Sequence, residues 1–123
     1  MVEYFVTKGK LVVRNNDLYN KMEEAINMLC DTVKVTLGPK GANVIINKSM
    51  FSPFITNDGV TIAECIESDD KILNTILEIA KESSIKTNDI VGDGTTTTLV
   101  LLQSIFHNGL EIIRKGNNPI IIK

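Results

Sequence analysis

The sequence predicts a mainly α-helical fold, an incomplete helical bundle that carries a small β-hairpin. Three observations predict it. Apolar residues recur at steps of three and four from Leu18 through Met22, Ile26, Leu29 and Val33 to Leu37, one stripe of a helix of about five turns. Ile72, Leu73, Ile76, Leu77, Ile79 and Ala80 form a second apolar face, and the stretch from Leu99 to Ile113 is apolar nearly all round in its first turns. Two short runs rich in β-branched residues, Asn43 to Asn47 and Phe54-Ile55-Thr56, supply the hairpin.

Taken in order, Leu11-Val12-Val13 within Lys10 to Arg14 reads as an edge strand. Asn15-Asn16-Asp17 offers an N-cap for the first long helix. Gly38-Pro39-Lys40-Gly41 stops that helix, because glycine permits a left-handed end and proline cannot continue it. Asn57-Asp58-Gly59 is the exit turn of the second hairpin strand, and Val60 to Ile66 is a short helix. Asp69-Asp70 opens the next helix, its acidic start suiting the positive end of the macrodipole. The helix that follows Gly92-Asp93-Gly94 has the composition of a central, buried helix and ends at Gly116. Asn118 then caps a further helix with Pro119 at its first position, although Ile120 to Lys123 as a terminal strand is an alternative. A helix begun and not finished, beside a buried helix with too little chain to surround it, predicts an incomplete domain.

The 123 residues suit one domain or part of one, and 43% apolar with 23% charged residues is an ordinary globular balance. A net charge of −2 gives no electrostatic footprint for nucleic acid. Arg114-Lys115 is better explained as a cationic last turn against the helix dipole. Cys30, Cys65 and the single His107 cannot make a four-ligand zinc site, and the cysteines read as free thiols in a reducing compartment. The start has no secretory pattern, and no run approaches the roughly 18 apolar residues of a membrane span. Those features predict a cytoplasmic protein with no membrane partner.

Three glycine-containing loops carry the chemistry: Thr36-Leu37-Gly38-Pro39-Lys40-Gly41, Thr56-Asn57-Asp58-Gly59, and Gly92-Asp93-Gly94-Thr95-Thr96-Thr97. In the third, Gly94 lets the backbone approach a ligand, and the three threonines fall in a first helical turn whose amides lack intrahelical acceptors. Such a terminus binds anions. Asp93 would repel bare phosphate, so it makes more sense with a bridging Mg²⁺. The alternative is an N-cap aspartate followed by threonines that bond back to the preceding turn. Taken singly, the first loop reads as a plain turn that does not match a P-loop, and Asp58 reads as a turn residue or as a second carboxylate near a metal or an attacking water.

In combination, Val33-Lys34-Val35-Thr36-Leu37-Gly38-Pro39-Lys40-Gly41, Asn43-Val44, Asp58-Gly59-Val60 and Gly92-Asp93-Gly94-Thr95-Thr96-Thr97 resemble the chaperonin family, most closely its bacterial GroEL-like group. The likeness runs from about Gly9 to Lys123 and includes Gly109-Leu110, Gly116 and Asn118-Pro119. It implies that residues 1–123 are the N-terminal segment of an equatorial, ATP-binding domain, with the intermediate, apical and second equatorial segments beyond Lys123. It further implies that Thr36, Leu37, Gly38 and Pro39 line ATP and its phosphates. Asp93 would hold Mg²⁺, and Gly94, Thr95, Thr96 and Thr97 would cradle the phosphates. Asp58 would lie near the γ-phosphate and the attacking water, a possible catalytic role. Asn57 stands where the bacterial group has a lysine, whereas the archaeal and eukaryotic branch shares Thr-Asn-Asp-Gly. The expected partners are further copies in a ring, a co-chaperonin and unfolded client proteins. The family hydrolyses ATP with a carboxylate beyond Lys123, so turnover by this chain stays open. The alternative is a catalytically inactive relic, or a structural or interaction module.

Overall fold

A computed structural model describes residues 4–7, 9–48, 50–92 and 94–122. The order is β1 (Tyr4–Thr7), β2 (Lys10–Val13), α1 (Asn15–Lys34), β3 (Val44–Ile46), β4 (Phe54–Thr56), α2 (Gly59–Cys65), α3 (Lys71–Val91), α4 (Thr95–Arg114) and α5 (Pro119–Ile122). The fold is mainly helical, as the periodicities predict. It holds two antiparallel hairpins where the sequence predicts one. β1 pairs with β2 from Tyr4↔Val13 to Thr7↔Lys10, and β3 pairs with β4 through Val44↔Thr56, Ile45↔Ile55 and Ile46↔Phe54.

The core lies where α1, α3 and α4 pack together with α2 across one end. Leu29 and Val33 of α1, Ile62 of α2, Leu77 of α3 and Leu99 of α4 are its fully buried large side chains. Each such aliphatic group contributes roughly 1.5–3 kcal/mol relative to exposure. Cys30, also fully buried, donates from Sγ to the Leu99 carbonyl at 3.1 Å, so α1 grips the α4 backbone near its start. Burial holds the Cys30 thiol up at about 11, with Asp31 adding to the rise. Neither Cys30 nor Cys65 is in a disulfide. Polar ties flank this core. Lys21 reaches Asp70 at 2.5 Å, Gln103 donates to Asn27 and Asp31, and Arg114 pairs with Glu23 at 2.7 Å.

Several sequence-based expectations need correction. Arg14, in an extended conformation, precedes α1, so Asn15-Asn16-Asp17 form its first turn and are not its cap. The same helix ends at Lys34, short of Leu37, because the Thr36 hydroxyl bonds back to the Val33 carbonyl and Ala42 N–H bonds to the Val35 carbonyl. Leu37 therefore leaves the apolar stripe and stands half exposed. On α3 the buried side follows Leu73, Leu77, Ala80, Lys81 and Ser84, which turns Ile79 outward at 66% exposure. Lys81 is buried with its Nζ on Glu78 Oε1 at 3.0 Å. The largest correction concerns α4, which buries only Thr95, Leu99 and Leu110. Leu101, Ile105 and Ile112 point outward, since α1, α2 and α3 cover its inner side alone.

The predicted helix starts at Asp70 and Asn118 hold, and α2 runs one residue earlier than Val60 to Ile66, over Gly59–Cys65. Asp70 caps α3 by accepting from Ile72 N–H at 2.9 Å and Leu73 N–H at 3.1 Å. Asn118 caps α5 by accepting from Ile120 N–H at 3.0 Å. The helical form of Pro119–Ile122 removes the alternative of a terminal strand. Among the described residues no helix is long and apolar enough to cross a membrane.

Candidate functional site

Three chain reversals meet at one end of the bundle: the exit of α1, the β4–α2 junction and the α3–α4 junction. They enclose an open cavity of about 500 Å³. Thr36, Leu37 and Gly38 line it from the first, Asn57 and Asp58 from the second, and Gly94, Thr95, Thr96 and Thr97 from the third. Pro39 was expected beside them, but it is exposed next to Gly38 and is not among the lining residues. Asp93, the expected metal ligand, lies outside the described residues.

The third reversal follows from backbone chemistry. Gly92 ends α3 at φ 76° and Gly94 precedes α4 at φ 91°. Both lie in the left-handed region, where a side chain would be strained, so two helices can stop and restart within three residues. The first intrahelical bond of α4 is Thr98 N–H to the Gly94 carbonyl at 2.8 Å. The amides of Thr95, Thr96 and Thr97 have no intrahelical acceptor, and the macrodipole places about half a positive charge there.

Thr95 is the most informative group. It is 5% exposed, and among the described residues its Oγ1 is buried without a hydrogen-bond partner. A buried hydroxyl without a partner costs about 1–3 kcal/mol. Thr36 differs, because its hydroxyl proton is taken by the Val33 carbonyl at 2.7 Å.

Asp58 caps α2. Its Oδ2 accepts from Thr61 Oγ1 at 2.6 Å and from Thr61 N–H at 2.9 Å. The Thr61 hydroxyl, and then the Thr61 amide, hold the Asp58 carboxyl below the usual carboxylate range. It is therefore ionised at neutral pH, able to orient a water or a hydrated cation and poorly suited to accept a proton. Among the described residues no lysine or arginine lines the cavity, and the α4 terminus contributes the positive end of its macrodipole. Among the described residues no group of three His, Cys, Asp or Glu could hold a metal. Magnesium held by one or two carboxylates together with phosphate oxygens needs no such group. The donor set fits an anion with an accompanying hard cation.

Sequence reasoning missed Asn88 in the last turn of α3, which lines the cavity while its carbonyl accepts from Gly92 N–H at 2.7 Å. Its place one helical turn before the Gly92 end was the available signal.

The model of the TCP-1/cpn60 chaperonin family matches residues 29–123. Among solved structures the chain is similar to the chaperonin gp146 from the bacteriophage EL 2 (Pseudomonas aeruginosa), crystallised in the presence of ATP-BeFx in two forms. Against one form the identity is 29% and the TM-score 0.73, covering 84% of this chain and 18% of that one. Against the other they are 32% and 0.71, covering 76% and 17%. The chain thus spans less than a fifth of the length of these relatives.

Proposed function

The chain belongs to the TCP-1/cpn60 chaperonin family, and from that premise we propose that it supplies the phosphate- and magnesium-holding part of an equatorial ATP site in a machine that assists protein folding. The observation that carries this is the Thr95 hydroxyl, buried and without a partner among the described residues at an open helix N-terminus, in a cavity shared with the Thr36–Gly38 bend and Asp58. The relative solved with ATP-BeFx supports the same reading.

In this reading the amides of Thr95, Thr96 and Thr97 grip phosphate oxygens, and the buried Thr95 hydroxyl donates to a phosphate oxygen. Leu37 and Gly38 close the opposite wall. Asp58, with Asp93 as the family resemblance implies, would hold Mg²⁺ and its waters, and the ion, when bound, neutralises phosphate charge and allows carboxylates beside it. Asn57 offers neutral donors only. Ring assembly with further copies, a co-chaperonin and unfolded clients are part of this proposal, as is a cytoplasmic setting.

One observation favours a second reading, in which the chain binds or assembles without turning ATP over. Leu101, Ile105 and Ile112 on α4, and Ile120 and Ile121 on α5, are exposed apolar side chains. Sedimentation velocity with and without Mg-ATP separates the two. A defined assembly, or a size that changes with nucleotide, is expected of a working site. A polydisperse species indifferent to Mg-ATP would overturn that reading and favour the second.

A further inference from the structure

α2 and α4 come close at Gly59 and Thr96. A methyl group at Gly59 would lie 2.4 Å from Thr96 Oγ1, far inside contact distance. The next atoms, Val33 Cγ1 at 3.5 Å and Thr96 Cβ at 3.7 Å, would be ordinary contacts. Gly59 opens α2 directly after the Asp58 cap, and no left-handed backbone requires glycine there. The constraint is therefore space: the missing Cβ leaves a niche, and the Thr96 hydroxyl occupies it.

We infer that Gly59 is a positioning residue for the Thr96 hydroxyl, fixing one rotamer of Thr96 where Asp58 and the α4 N-terminus face the same cavity. Threonine in a helix divides between two χ1 rotamers, so without the niche the hydroxyl has another place to go. With it, the hydroxyl stays beside the α2 start, and the two chain reversals present a fixed set of donors to a ligand. The inference rests on the proposed phosphate site and deepens it.

Gly59→Ala is a clean probe, because only the end of a rotatable side chain must move and alanine has the better helix propensity. The expected result is unchanged thermal stability with a loss of Mg-ATP affinity of about tenfold, the worth of one hydrogen bond. In a Thr96→Ala background, Gly59→Ala should cause no further loss, since the group it displaces is gone. Calorimetric titration of the four proteins reads this cycle. Equal losses in both backgrounds, or wild-type affinity for Gly59→Ala, would overturn the inference. A ligand-free readout separates it from the site itself: the Thr96 χ1 rotamer, from side-chain NMR couplings, should change in Gly59→Ala. An unchanged rotamer sinks the inference whether or not Mg-ATP binds. A changed rotamer in a protein that binds no Mg-ATP sinks the phosphate site and leaves the niche standing.

Discussion

The two sides of α4 invert the usual rule of burial. At its start, lining the cavity, a threonine is buried and its hydroxyl has no partner among the described residues. On its outer side, isoleucine at position 105 is 71% exposed. Each departure costs free energy in the isolated chain, and they cost it for different reasons. A buried polar orphan is relieved by a ligand that accepts or donates a hydrogen bond. An exposed apolar face is relieved by another protein surface. One helix thus carries a buried polar orphan at its start and an exposed apolar side, and its inner packing holds that start in place.

The largest expected contrast lies in packing. Leu99→Ala should destabilise the chain by about 2–5 kcal/mol in urea denaturation, because Leu99 is fully buried between α1 and α4. Ile105→Ala should stay within about 0.5 kcal/mol of wild type. Equal costs at the two positions would break the comparison. Thr95→Val keeps the shape and removes the orphan hydroxyl. It should raise ligand-free stability by roughly 1–3 kcal/mol while weakening Mg-ATP binding. A stability loss would show that the hydroxyl already has a partner. Ile105→Ser should leave stability nearly unchanged and reduce binding of a hydrophobic dye, a direct measure of the outer face.

The Cys30 thiol sharpens the inner side further. Its folded value, about 11, is raised above the ordinary 9.0. The stability it contributes is therefore complete below about pH 9 and lost as pH rises through about 11. At pH 8 the buried Cys30 should resist alkylation while half-buried Cys65 reacts, and mass spectrometry should count one modified thiol. Rapid modification of both would mean that α1 does not seal against Leu99.

Much of this arrangement is legible in the sequence. The step of three and four from Leu18 to Val33 fixes α1, and Asp70 and Asn118 announce helix starts because their side chains accept from amides two or three residues on. The glycine-bounded threonine run marks the α4 terminus. What was not legible depends on contacts distant in sequence. Leu37 fits the α1 stripe, but the Ala42–Val35 bond turns the chain before it. The apolar composition of α4 predicts burial all round, yet burial also requires neighbours, and local pattern does not count them. The Gly59–Thr96 approach joins residues in different helices, and no spacing rule reports it.

In the proposed site the phosphate tail of a magnesium nucleotide is held at the start of α4 against the bend after α1. Titrating the ¹⁵N-labelled chain with Mg-ATP while recording amide NMR spectra tests it most directly. Saturable shifts of the Gly38, Gly94, Thr95, Thr96 and Thr97 amides are expected, with adenosine alone leaving them in place. Shifts confined to the Leu101–Ile112 side, or none at all at saturating Mg-ATP, would contradict it.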